Sequence, residues 1–454
     1  MSEEPRQSEP GDEEFREMLR QFLAGGGQGG DLDPAKLAAA AGLPADPELL
    51  NRLIGQLQQA LQNSADGVDW NVGLEQATQL ATRSSVVSTP GERSALEQAL
   101  HVAALWLDEA TEISSLTTAP ALLSRTEWTK QTMPVWTQLA APVADSIATA
   151  LTQVLDDEGV GDAPGMEGVA QSAGRIMRNV GGTLFAMQLG QVVGRLSTEV
   201  VSGGDVGIPL LDGETTQAAL VTQNVHEFGR DLDIPDDQVA LYLAVRELAH
   251  ARLFRHAKWL RLNLLTQIGD FSRGVRIDTE RLQELAADFD PSNPEELRDA
   301  MTSGALIPPK SAEQEAALHR LETMLALIEG WVDVVTLQAT ARLPRADALA
   351  ETMRRRRATG GPAESAFSTL VGLELRPRRL REAAAMWQAV TDAVGSAGRD
   401  ALWAHPDILP GSQDIDDPSF LVTRLTGGLG EQEDDVDRAL EELLGDEGGD
   451  RPTE

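Results

Sequence analysis

The sequence predicts a mainly α-helical protein, and three observations predict it. Hydrophobic residues make up 41% of the 454 positions, enough for a sizeable core, while aromatics make up only 4%. Leu, Ala and Val must therefore build that core, whereas sheet folds lean more on aromatic and β-branched residues. Apolar residues also recur at three- and four-residue spacing through Pro47–Gln62, Leu96–Ser115, Val135–Leu155 and Leu380–Val394, the spacing of one helical face. No repeat of fixed period and no obvious linker divides the middle of the chain, so one large helical domain is the simplest reading.

In chain order, residues 1–30 are acidic with a Gly-rich run at Gly25–Gly30, and read as a disordered lead. Residues 31–425 form the helical domain. Asn179–Gly194 is apolar but short, and it holds Asn179, Gln188 and Gln191. It is expected to pack closely on another helix through Gly190 and Gly194 rather than to span a membrane. Gly204–Asn224 differs in pattern. Turn signals flank Ile208–Leu211 and Ala218–Thr222, which predicts a small β hairpin or extended edge. Residues 426–454 are rich in Asp and Glu and read as an acidic tail.

Charge and composition exclude several classes. The net charge is −34, from 72 acidic and 38 basic residues, a field that repels nucleic acid and anionic membrane surfaces. There is no cysteine, so disulfides, thiolate zinc sites, iron–sulfur clusters and Cys nucleophiles are ruled out. Any metal must be held by carboxylates and the six histidines. The acidic N-terminus has no basic and apolar leader pattern, so a cytoplasmic location is expected. No nucleotide or flavin fingerprint and no nucleophilic Ser motif occurs.

The chemistry concentrates on one helix. Ile234-Pro235-Asp236-Asp237 is a helix start, with Pro fixing the first turn and Asp complementing the positive end of the dipole. The helix then runs VALYLAVRELAHARLF, apolar on nearly every side, and should be buried. Steps of three and four residues stack Arg246 on His250, with Glu247 beside them. Zincins grip zinc with two His four residues apart and polarise water with the Glu between them. Here Glu247 and His250 have that spacing, but the first position is Arg246, which stays protonated and cannot ligate a cation. Its guanidinium is expected to pair with nearby carboxylates and to stand in for the metal's charge.

Four segments extend this match. They are Val68-Asp69-Trp70-Asn71, the run from Asp233 through RELAHARLF to Lys258-Trp259-Leu260, the run from Leu327 to Asp333, and FSTLVGLELRPRRLREAAAMW with LWAHPDILP. In these the chain resembles a family of mainly actinobacterial zincin-like proteins, described as zinc-dependent metallopeptidases or hydrolases, some of them associated with coenzyme F420 biosynthesis. The resemblance implies a zincin-like helical domain and, in metal-binding relatives, a third ligand from a later helix. By resemblance that residue is Glu329, on a helix opened by the capping box Ser311–Gln314. Gly330 beside it suits close approach by another backbone. Asp333 and His405 are the supporting or alternative groups, with His405 in Trp403-Ala404-His405-Pro406.

Three functions fit this pattern. The first is a degenerate, inactive or non-zinc member that binds a peptide or protein in the old cleft. The second is an active metal-dependent hydrolase with Glu247 as base and His250, Glu329 and a further group such as His405 as ligands. The third is a helical scaffold without cleft function. Eight Arg between Met353 and Arg381, including Arg354–Arg357, read as pairing internally with the protein's own acidic surface, since too few aromatics accompany them for a nucleic-acid surface.

Overall fold

The computed structural model describes residues 68–157, 167–211, 214–274, 310–358, 366–368, 370, 373 and 378–427. The lead at 1–30, the helical pattern at 47–62 and nearly all of the acidic tail lie outside them.

The described chain is mainly helical, as the spacing predicts. Its helices are α1 (Trp70–Ser84), α2 (Pro90–Ala110), α3 (Arg125–Asp157), α4 (Glu167–Leu196), α5 (Thr222–Gly229), α6 (Asp236–His256), α7 (Lys258–Arg273), α8 (Ala312–Ala339), α9 (Ala346–Ala358), α10 (Leu380–Ala401), α11 (Ser412–Asp416) and α12 (Pro418–Gly427). Side chains at their starts explain several boundaries. Asp69 accepts the Asn71 N–H to open α1, and Thr89 with Glu92 forms a reciprocal box at α2. Ser311 with Gln314 does the same at α8. Each such cap satisfies amides that the first turn leaves free.

Helix α6 runs through the core. It packs against α2 and α8, and 14 of its 21 residues are buried. Helix α8 in turn lies against α10. Helices α1 and α4 pack as the Gly190 and Gly194 spacing predicts. A Cβ on Gly190 would overlap the Gly73 carbonyl, and one on Gly194 would come within 2.9 Å of Leu80. Among the described residues no helix is long and apolar enough to cross a membrane.

The predicted β element is present, but with another partner. Strand β2 (Ala219–Val221) pairs in parallel with β1 (Ala121–Leu123), in the register Ala121 to Ala219. On its other side Val201 and Gly203 bond antiparallel to Val221 and Ala219. Ile208–Leu211 is therefore not the arm of a hairpin. The chain leaves β2's neighbour at Gly203 and turns through Gly207, whose φ of +80° suits glycine. This carries Ile208 and Leu210 into the core as buried coil.

Candidate metal centre and its cleft

The three motif residues of α6 lie where the helical period puts them, and all are buried. Arg246 is ion-paired with Glu329 of α8. Glu329 faces α6 because Gly330, next to it, is pressed against α10. A Cβ there would sit 2.8 Å from backbone atoms of Ala383 and Ala384. The other Glu329 oxygen lies 2.9 Å from Nη2 of Arg357 on α9. One carboxylate thus serves two guanidinium groups. Burial alone would raise its pKa, but Arg357 and Arg246 outweigh that and hold it below the ordinary value.

Glu247 is engaged by backbone. Its Oε2 accepts the Gly204 N–H at 2.8 Å and its Oε1 accepts the Ala219 N–H at 2.9 Å. Burial pushes its pKa up to about 7 despite these donors and the Ser202 hydroxyl. His250 packs against Phe254, with ring centroids 4.7 Å apart, and its Nε2 is buried without a hydrogen-bond partner. Burial lowers its pKa to about 4, with Glu329 opposing and Arg357 and Arg246 reinforcing the shift. At neutral pH the imidazole is uncharged.

The surrounding charges are matched in pairs. Asp333, one turn beyond Glu329, accepts from Arg354 at 2.6 Å, and Asp205 pairs with Arg356 at 2.8 Å. Arg354, Arg356 and Arg357 thus turn inward and neutralise buried carboxylates, which compensates the heavy cost of desolvating them. His405 is elsewhere in kind. It is 63% exposed, lies within 3.3 Å of Asp407, and accepts the Asp407 N–H to start the 3-10 turn Pro406–Ile408.

Residues 68–422 match the zincin-like metallopeptidase family. The chain belongs to that family. A solved structure from Chloroflexus aurantiacus, described as a candidate hydrolase with a novel fold, aligns with a TM-score of 0.54 at 18% identity, covering 79% of this chain and 98% of that one. That likeness is one of fold. No curated protein matches the chain.

The zincin-like family implies zinc, and the residues present here do not fit it. A catalytic zinc takes three protein ligands and keeps one position open. Arg246, four residues before His250, stays protonated and cannot ligate a cation, and the Glu329 carboxylate faces two guanidinium groups. Among the described residues no group of three His, Asp or Glu side chains is arranged to hold a metal ion. The cavity bordered by Arg246, Glu247, His250 and Asp205 measures about 10 Å³, barely room for one water.

Arg357, from the Arg-rich run, completes the centre together with Asp205, Ser202 and Gly204, and the roles of these last three were not read from the sequence. Gly204 is the tightest of them, since a Cβ there would overlap Nδ1 of His250 and lie 2.9 Å from Glu247. Only the Gly-Gly-Asp turn at 203–205 hints at this role. On the outer side His250, Glu247 and Gly204 border a cleft of about 730 Å³, which continues along Phe254 and the end of α6 to Arg261.

Proposed function

We propose that this zincin-like protein no longer performs zinc-dependent peptide hydrolysis and instead binds a peptide or protein segment in the cleft beside His250. The observation that carries this reading is the pairing of Glu329 with both Arg246 and Arg357. Two fixed positive charges stand against the carboxylate that would otherwise meet the metal, so the centre is balanced by guanidinium groups. Arginine keeps its proton at any physiological pH, so the first ligand position is closed to zinc. The cleft volume of about 730 Å³ falls in the range of ligand sites. The net charge of −34 favours a partner other than nucleic acid or an anionic membrane surface, and cytoplasm is the compartment we assign.

Elemental analysis of full-length protein purified without an affinity tag tests the reading. The expected result is substoichiometric zinc that does not change in His250→Ala. One zinc per chain, lost in that variant, would overturn it.

A further inference from the structure

We propose that the cleft beside His250 recognises an anion, the carboxylates of an acidic peptide segment, through Arg261, Lys258 and Arg255 at the elbow between α6 and α7. This rests on the peptide-binding reading above and names the ligand's chemistry.

The first argument is the isolation of these cations. In a chain with 72 acidic residues, the arginines around the buried centre all find carboxylates. Arg255, Lys258 and Arg261 all line the cleft, yet none has an ion-pair partner among the described residues. Arg255 donates only to the Ser115 carbonyl at 3.0 Å. Arg261 donates only to the Leu211 carbonyl at 3.2 Å, and its Nε is buried without a partner.

The second argument is the helix end they stand on. Lys258 is the first residue of α7, which has no side-chain cap and no acidic residue in its first turn. A helix N-terminus already carries partial positive charge and free amides, so a lysine there is unfavourable. Ala257 joins α7 directly to the last turn of α6, which contributes Arg255 and His256. The elbow therefore gathers three side-chain cations and the positive dipole end of α7, and no described carboxylate pairs with these side chains, although the negative end of α6 lies beside Arg255. A bound anion balances them.

The third argument is independent of surface charge. His250 lines the same cleft, is 5% exposed, and has an orphaned Nε2. A buried polar nitrogen without a partner is costly. A neutral imidazole carries one N–H, which can donate to a ligand oxygen at the cleft. The acidic residues lining the cleft are Glu214 and Glu247, and the oxygens of Glu247 are already taken by backbone amides. The chain's overall negative charge does not prevent binding, because at physiological salt fields fade over roughly 8 Å and the elbow cations act at shorter range.

The test is fluorescence anisotropy of a hexaglutamate peptide carrying a neutral dye, titrated with the full-length chain. A hexaglutamine peptide and inorganic phosphate serve as further arms. Expected are saturable hexaglutamate binding that weakens with added salt, and about tenfold weaker binding for hexaglutamine or for Arg261→Gln. Lys258→Gln, at an exposed position, should also weaken binding, with an unchanged circular dichroism spectrum. Equal binding of the two peptides would overturn the anion assignment and leave the peptide reading standing. Displacement by equimolar phosphate would overturn the peptide-carboxylate assignment in favour of a free oxyanion. Variants that bind like the parent, or no binding of either peptide, would also overturn it, while zinc content tests the lost metal centre separately.

Discussion

The guanidinium of Arg246 is ion-paired with the carboxylate of Glu329, 83 residues further on, and both side chains are buried. Glu329 also holds Arg357, so the two partners are not equivalent. Glu329→Gln strands two buried guanidinium groups, whereas Arg246→Met leaves Glu329 still paired. Breaking a buried pair by removing one partner costs about 3–5 kcal/mol. Glu329→Gln should reach that range in urea denaturation, and Arg246→Met should cost clearly less. Equal stability of Glu329→Gln and the parent would show that the carboxylate does not organise this centre.

Charge balance gives a second prediction. Arg246 and Arg357 together supply two positive charges beside Glu329, the same charge as a zinc ion. Arg246→His alone restores the motif but leaves Arg357 on Glu329. The single variant should therefore take up little zinc, and Arg246→His with Arg357→Ala should approach one zinc per chain by elemental analysis. Equal zinc uptake by both variants would mean that Arg357 yields its place readily.

Much of this centre is legible in the sequence because helices are periodic. Arg246, Glu247 and His250 share one buried face by spacing alone, and Gly330 marks the close approach that turns Glu329 inward. What periodicity does not encode stayed hidden. Gly204 and Asp205 reach the centre from an irregular turn whose path depends on how β2 is paired. Arg357 belongs to a run of four arginines in which the packing of α9, not the sequence order, selects the one that meets Glu329. His405 precedes a proline, and that turn keeps it at the surface, where it caps its own short helix. The hairpin expectation failed for a related reason: both sides of β2 are already occupied, by Ala121–Leu123 and by Val201–Gly203.

Gly330 allows opposing effects to be weighed. Replacing a helical glycine by alanine gains about 1 kcal/mol in helix propensity. Here the added Cβ would lie 2.8 Å from the Ala383 carbonyl carbon and the Ala384 nitrogen. Backbone cannot swing aside as a side chain can, and such overpacking costs about 1–3 kcal/mol. Gly330→Ala should therefore destabilise the fold and shift α8 relative to α10. A rise in melting temperature would show that the two helices can separate at little cost.

The last prediction concerns pH, where His250 and Glu247 act in opposite directions. The folded state holds His250 at about 4, against an ordinary value of 6.5. Below pH 6.5 the unfolded chain takes up a proton that the fold refuses. Stability from this group is thus complete above 6.5 and is lost as pH falls toward 4. The folded state holds Glu247 at about 7, against 4.5. Above pH 4.5 the unfolded chain releases a proton that the fold retains, so stability from this group is complete below 4.5 and is lost as pH rises to 7. Each contribution is about 3 kcal/mol, and between pH 4.5 and 6.5 they largely cancel. Single variants separate them. The stability of the parent relative to His250→Gln, measured by urea denaturation, should increase by about 2–3 kcal/mol from pH 4.5 to 6.5. Relative to Glu247→Gln it should decrease over pH 4.5 to 7. Differences that stay constant with pH would show that both groups titrate as they do in the unfolded chain, and that the buried centre is open to water.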